Sequence, residues 1–137
     1  MMSSSSSLPD RVAFVLKQSD SYTWPVSIKL PANGGKRERQ TFDAEFKRLP
    51  QSRINEIQEQ ANKRIRAAER GEDIGDGISD QSIADEILVG WDGIVDGDGE
   101  PVPFSKSSKA QLLDVPFMAG ALIEAYFESL VEAKRKN

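Results

Sequence analysis

Apolar and polar residues alternate over Trp24-Pro25-Val26-Ser27-Ile28-Lys29-Leu30, which sets Val26, Ile28 and Leu30 on one side of an extended chain and Ser27 and Lys29 on the other. The period of two predicts a half-buried strand, with Pro25 tolerated at its start or on a sheet edge. Pro31-Ala32-Asn33-Gly34-Gly35 follows. Asn and Gly adopt positive φ readily, so the chain is expected to reverse here into a second strand over about Lys36 to Phe46. That strand carries Phe42, Ala44 and Phe46 on one side, and its charged first half, Lys36-Arg37-Glu38-Arg39, reads as a protected edge. A further short strand is expected within Arg11 to Gln18, from Val12-Ala13-Phe14-Val15-Leu16.

After Pro50 the apolar spacing lengthens to three and four. Ile54, Ile57, Ala61, Ile65 and Ala68 form one helical stripe between Pro50, near the first turn, and Gly71, just past the last residue. A second helix is expected from Ser79 or Asp80 to about Gly90, burying Ile83, Ile87, Leu88 and Trp91. Asp92 to Glu100 reads as a turn or small hairpin that sets Ile94-Val95 against Val102 to Phe104. Ser108 and Gln111 make a capping-box pattern ahead of Leu112-Leu113, and Pro116 closes that short helix. Met118, Ala121, Leu122, Ala125, Tyr126, Ser129 and Leu130 outline the last helix, whose negative end suits Lys134, Arg135 and Lys136.

The stretch from Ile83 to Tyr126 is therefore expected to organise the chain, with Trp91, Phe104, Leu113, Phe117, Leu122 and Tyr126 in its core. Phe127 and Val131 stand off the main stripe of the last helix and are the candidate partner-binding residues. The fold class that follows is α+β: a small antiparallel sheet near the N-terminus, followed by about four helices. One domain is expected over 10–137, divided into the sheet (10–48) and the helical part (49–137). Residues 1–9, with five consecutive serines, hold too little apolar surface to offset the entropy of ordering and read as a disordered tail.

Composition narrows the chemistry. The 137 residues contain no Cys and no His, which excludes disulfides, zinc fingers and Cys-His or Ser-His catalytic pairs. No apolar run reaches the roughly 18 residues of a membrane span, and Met1 to Asp10 lacks the regions of a signal peptide, so an intracellular protein is expected. The net charge of -4 is unevenly placed. Gly71 to Glu100 holds ten acidic residues and no Lys or Arg, whereas Lys36 to Arg70 holds ten basic residues against six acidic. Such blocks steer charged partners or complement each other within or between subunits. Gly34-Gly35 matches no phosphate-loop pattern. Asp92 to Glu100 has the look of a calcium loop but runs into Pro101-Val102-Pro103 where a terminal bidentate Glu is required, so no metal and no cofactor is expected. Its paired carboxylates lack a proton partner, and no catalytic residue is assigned. The basic residues of the Pro50 to Arg70 helix share it with Glu56, Glu59 and Glu69 and have no interleaved aromatics, so nucleic acid is not the expected partner.

Three segments bear on a family. They are Trp24 to Pro31 with Gly34-Gly35; Thr41-Phe42-Asp43-Ala44-Glu45-Phe46-Lys47-Arg48-Leu49; and Val89-Gly90-Trp91-Asp92-Gly93-Ile94-Val95-Asp96, continuing through Gly99 and Val102-Pro103-Phe104-Ser105 to Leu112-Leu113 and Pro116. In order and spacing, across about Tyr22 to Leu130, the chain resembles the tail assembly chaperones of long-tailed bacteriophages. The resemblance implies a non-enzymatic protein of the host bacterial cytoplasm that binds the tape measure protein, keeps it soluble, and helps the tail tube protein assemble around it. Self-association into a homo-oligomer is left open. Rival readings are an acidic inhibitor whose Gly71 to Glu100 block imitates nucleic-acid phosphates, another small phage-encoded protein-binding module, and, weakest, an enzyme.

Overall fold

The computed structural model describes residues 12–71 and 80–131. The expected tail, the candidate cap Ser79 and the Lys134-Arg135-Lys136 run lie outside these residues. Within them the order is β1 (Ser21–Ala32), β2 (Lys36–Lys47), α1 (Gln51–Glu69), α2 (Asp80–Ile87), β3 (Leu88–Asp92), α3 (Lys106–Leu113) and α4 (Met118–Leu130). This is the expected α+β class, an antiparallel sheet of order β1-β2-β3 accompanied by four helices.

Gly34 and Gly35 take φ of 79° and 76°, which only glycine adopts without strain, and the chain reverses there. The register that follows sets Val26 opposite Phe42 and Trp24 opposite Ala44. Because the side-chain period is two, this puts Val26, Ile28, Phe42, Ala44 and Phe46 on one sheet face, where all five are buried. They pack with Ala84, Ile87 and Leu88 and with Leu113, Met118, Ala119, Leu122, Ala125 and Tyr126 in one core. β2 is the central strand and not an edge, but β3 pairs only with Asp43 to Phe46. The charged first half of β2 therefore keeps one open side, where its Lys and Arg residues discourage further strand pairing.

Several expectations need correction. The second helix does not run to Gly90: it stops at Ile87, and Leu88 begins β3 directly. Val89 and Gly90 are poor helix residues, and the open side of β2 offers their backbone a ladder that local periodicity cannot reveal. A register shift between Glu45 and Phe46 makes the two contacts Leu88 to Phe46 and Trp91 to Ala44 compatible. Residues three apart on a strand normally face opposite ways; the extra residue of the bulge brings Leu88 and Trp91 onto the same, core-facing side. Gly90 lets the Glu45 side chain lie over β3: a Cβ there would come 2.4 Å from Glu45 Oε1 and 3.2 Å from its Cβ, so the carboxylate would have to move.

Trp91 and Phe104 sit at the rim of the core and not inside it. Trp91 is half-buried, donates from Nε1 to the Val102 carbonyl at 2.8 Å, and meets Phe104 edge to face at 4.9 Å. The pair pins the chain after the Asp92 to Glu100 turn, closed as expected by the bridge from Val95 to Pro101 and the Val102 N–H to Ile94 carbonyl bond. Phe117, expected in the core, is 80% exposed. It takes φ of 68° as the residue preceding α4, and its side chain stays out of the core. Val12 to Leu16 forms no strand, although the segment is apolar throughout. The third helix is capped earlier than expected: Ser105 and Ser108 exchange side-chain and backbone hydrogen bonds in a capping box, and Gln111 lies inside the helix. Along α1, Ile57 is buried and Ile54 half-buried, but Ala61, Ile65 and Ala68 are exposed, so the stripe is covered over its first half only.

Two polar arrangements join the layers. The Tyr126 hydroxyl, on α4, donates to the Lys47 carbonyl at 2.9 Å and accepts from the Leu49 N–H at 3.2 Å, clamping the exit of β2. Burial pushes this phenol up from its ordinary value. Its ring meets Phe46 edge to face at 5.2 Å, and Tyr22 stacks at 6.4 Å. Ser129 donates to the Tyr126 carbonyl at 2.6 Å, which leaves Tyr22 as the donor in the 2.6 Å contact between Tyr22 and Ser129. Second, Arg53 of α1 forks onto Glu86 of α2, with Nη2 at 2.8 Å from Oε1 and Nε at 3.0 Å from Oε2, and also reaches Glu56 at 2.9 Å. Here the basic and acidic blocks meet within one chain.

Tyr126→Phe should lower stability by about 1–2 kcal/mol, because it strips the Lys47 carbonyl and the Leu49 N–H of their partner while leaving the ring packing intact. Urea unfolding followed by circular dichroism measures this, and an unchanged midpoint would mean the clamp does not hold the strand exit. The Glu86 carboxyl is held below its ordinary value of 4.5 by its hydrogen bonds with Arg53. Its contribution is therefore fully present above that value and lost as pH falls through the folded one. Glu86→Gln should cost about 1 kcal/mol at neutral pH. The gap from the parent chain should close in acid, a trend that paired unfolding curves at neutral and acidic pH would show.

Candidate functional site

The last helix has two working sides. Met118, Leu122, Ala125 and Tyr126 point into the core, as the apolar spacing requires. Phe117, Gly120, Glu124, Phe127 and Val131 recur at spacings of three, four, three and four, which places them along a second stripe directed away from it. Phe117 stands clear of the surface at one end. Val131 is 49% exposed at the other, beside exposed Leu130. Phe127 lies between them, half-buried, with its ring edge to face on Tyr126 at 5.9 Å. From Phe117 to Phe127 the helix rises about 15 Å, roughly three turns of a facing helix.

A groove runs beside this stripe, between α4 and β1. Its first part is lined by Ser27, Lys29, Phe117, Ala121, Ile123 and Glu124. The second shares Ser27, Ala121 and Glu124 with the first and continues past Trp24 and Arg39 to Glu128. Its walls carry charges of both signs, Lys29 and Arg39 from the sheet and Glu124 and Glu128 from the helix. The arrangement can hold an amphipathic helix, apolar positions on Phe117, Phe127 and Val131, with flanking charges setting its register.

Of the two residues assigned to partner binding, Val131 is exposed and Phe127 is half-buried, and their spacing of four sets them on one stripe. Sequence reasoning missed Phe117 and Leu130 as surface residues, because Phe117 is expected with the core and Leu130 fits the inward helical period. The signal at Phe117 was Pro116, which keeps the preceding turn from continuing as helix. An aromatic residue at positive φ is uncommon and costs about 1–2 kcal/mol, so such a position is a natural place to look for function.

The acidic block offers less. Asp96 Oδ1 accepts the Asp98 and Glu100 N–H groups at 2.8 and 3.0 Å, so this carboxylate closes its own turn. Glu86 is engaged by Arg53, and Asp85 by Lys109 at 3.1 Å. Among the described residues there is no group of three or more acidic side chains placed to hold a metal ion. Nor is any helix among them long and apolar enough to cross a membrane.

Comparison with known proteins finds one family: the model of the YdaY prophage protein family matches residues 44–132. The matched region begins on β2 and includes the outward stripe of α4, and leaves out β1. No curated protein and no solved structure matches the chain.

Because Phe117 is strained and makes little contact with the body, Phe117→Gly should stabilise the fold by about 0.5–1 kcal/mol. A rise in thermal midpoint is the expected reading; a fall would show that the aromatic ring supports the fold after all.

Proposed function

The chain belongs to the YdaY prophage protein family and is phage-derived, and on that premise we propose that it is a tail assembly chaperone acting in the host bacterial cytoplasm. In this reading it binds the tape measure protein, keeps it soluble, and assists assembly of the tail tube protein around it, without catalysis. The observation that supports the reading is the outward stripe of α4: Phe117, Phe127 and Val131 repeat at the spacing of a helix seam, with Phe117 and Val131 exposed. A long helical protein that must be kept from aggregating presents the matching seam. Lys29 and Arg39 on one wall and Glu124 and Glu128 on the other give a passing helix electrostatic guidance, which acts mainly on the encounter rate.

The phosphate-mimic alternative has less support, because it needs free carboxylates regularly spaced along a surface. Here Asp96 is committed to its own turn, Glu86 to Arg53 and Asp85 to Lys109.

Coexpression with the tape measure protein of the same phage tests the proposal. The parent chain should raise the soluble fraction of the tape measure protein and co-purify with it. Phe117→Asp combined with Val131→Asp should keep the circular dichroism spectrum and lose at least tenfold in affinity, about 1.4 kcal/mol or more. Tape measure solubility that is equal with and without the chain would reject the chaperone role. Retained binding by the double variant would instead reject the α4 stripe as the contact.

A further inference from the structure

Val12-Ala13-Phe14-Val15-Leu16 has the composition of a strand and, among the described residues, joins no ladder. Its large side chains are 89% (Val12), 83% (Phe14), 57% (Val15) and 91% (Leu16) exposed, a dense run of bare apolar surface. Elsewhere in the same molecule is a ladder with room for one more strand. β3 ends the sheet, and among the described residues nothing pairs with its far side. The other open edges are guarded: β1 contains Pro25 and Pro31, which cannot donate a hydrogen bond, and the open half of β2 carries Lys36, Arg37 and Arg39. β3, Leu-Val-Gly-Trp-Asp over Leu88–Asp92, has neither a proline nor a basic residue, and it leaves Val89 exposed.

We infer that residues 12–16 of one copy of this chain add as a fourth strand to the β3 edge of a second copy, reciprocally, giving a strand-exchanged dimer. The two elements match in length, five residues each. They also match in charge: Arg11 and Lys17 flank the donor in sequence, whereas β3 lies inside the Gly71 to Glu100 block, which has ten acids and no Lys or Arg. Either strand direction brings one of the two cations beside Asp92. Because side chains alternate, each exchanged strand turns Val12, Phe14 and Leu16 to one side of the sheet, and each Phe14 contributes about 150–250 Å².

The donor does not serve its own sheet well. A fourth strand would stand three strand spacings, about 14 Å, from β1. The five backbone steps from Leu16 to Ser21 reach about 17 Å at full extension. In the structure that linker is bent at Leu16 and Lys17, with the Gln18 side chain donating to the Val15 carbonyl at 2.6 Å and Asp20 accepting from the Arg48 N–H at 2.9 Å. Pairing within one chain would require these bends to open, whereas a second copy imposes no such limit. Exchange between copies also leaves the α4 stripe untouched, so it stands independently of the chaperone reading.

Analytical ultracentrifugation of the full chain, from low micromolar to submillimolar concentration, should show a monomer–dimer equilibrium. Phe14→Asp with Leu16→Asp should make it monomeric without changing the circular dichroism spectrum. The native chain has no cysteine, so single-cysteine variants report the contact directly. A Val15→Cys chain (antiparallel pairing) or an Ala13→Cys chain (parallel pairing), mixed with a differently tagged Val89→Cys chain, should form a disulfide-linked pair under mild oxidation. A monomer throughout the concentration range, a dimer indifferent to the double aspartate variant, or a disulfide that forms only inside a chain carrying both cysteine substitutions would each overturn the inference.

Discussion

The structure depends most on the contact of Tyr126 with the end of β2. The residue lies where the core side of α4 crosses the sheet, its ring against Phe46 and Tyr22, its hydroxyl held by the backbone of Lys47 and Leu49. A buried phenol is costly unless its hydroxyl finds partners, and these are backbone groups that have just left the ladder and have lost their own. Each side thus satisfies the other. Because the clamp holds the chain where β2 gives way to α1, it also settles where α1 departs, and Arg53 can then reach Glu86.

Holding α4 by one side leaves the other available. The inward positions from Met118 to Tyr126 are filled by the sheet and α2, so Phe117 and Val131 are not needed for the core. Partner binding and folding can therefore be changed separately over most of this helix, with Phe127 the exception because it touches Tyr126. The charge blocks serve the fold in part: Arg53 with Glu86 and Lys109 with Asp85 tie helix to helix, and Asp96 organises its own turn. Lys29 and Arg39 remain beside the groove, where they can act on something outside the chain.

The sheet edges show the same division. Prolines in β1 and basic residues on the open half of β2 make two of them unattractive for pairing, yet β3 has no such guard and lies near the exposed apolar segment before β1. Leu16 and Val89 line one shallow cavity at the foot of the sheet, with Lys47 and Arg48 beside them. An unguarded edge and an unpaired strand-former on one chain are a liability unless they meet, since each is a template for indiscriminate association.

Local pattern was enough for those parts whose partners are near in sequence. Alternation from Trp24 to Leu30, the Asn33-Gly34-Gly35 reversal, the buried side of β2, the α1 limits at Pro50 and Gly71, and the inward stripe of α4 could all be read before any coordinates. So could the absence of Cys and His, which removes whole classes of chemistry. What local pattern could not supply was the choice between equally apolar outcomes. Leu88 to Trp91 continues a helical stripe in sequence but becomes a strand because β2 has a free side over Asp43 to Phe46. Phe117 is as apolar as the core residues beside it but stands outside α4 in the left-handed region, exposed. Val12 to Leu16 has the residues of a strand and, among the described residues, pairs with none. In each case the deciding term is a backbone partner or a chain direction set by residues distant in sequence, and only the folded arrangement contains it.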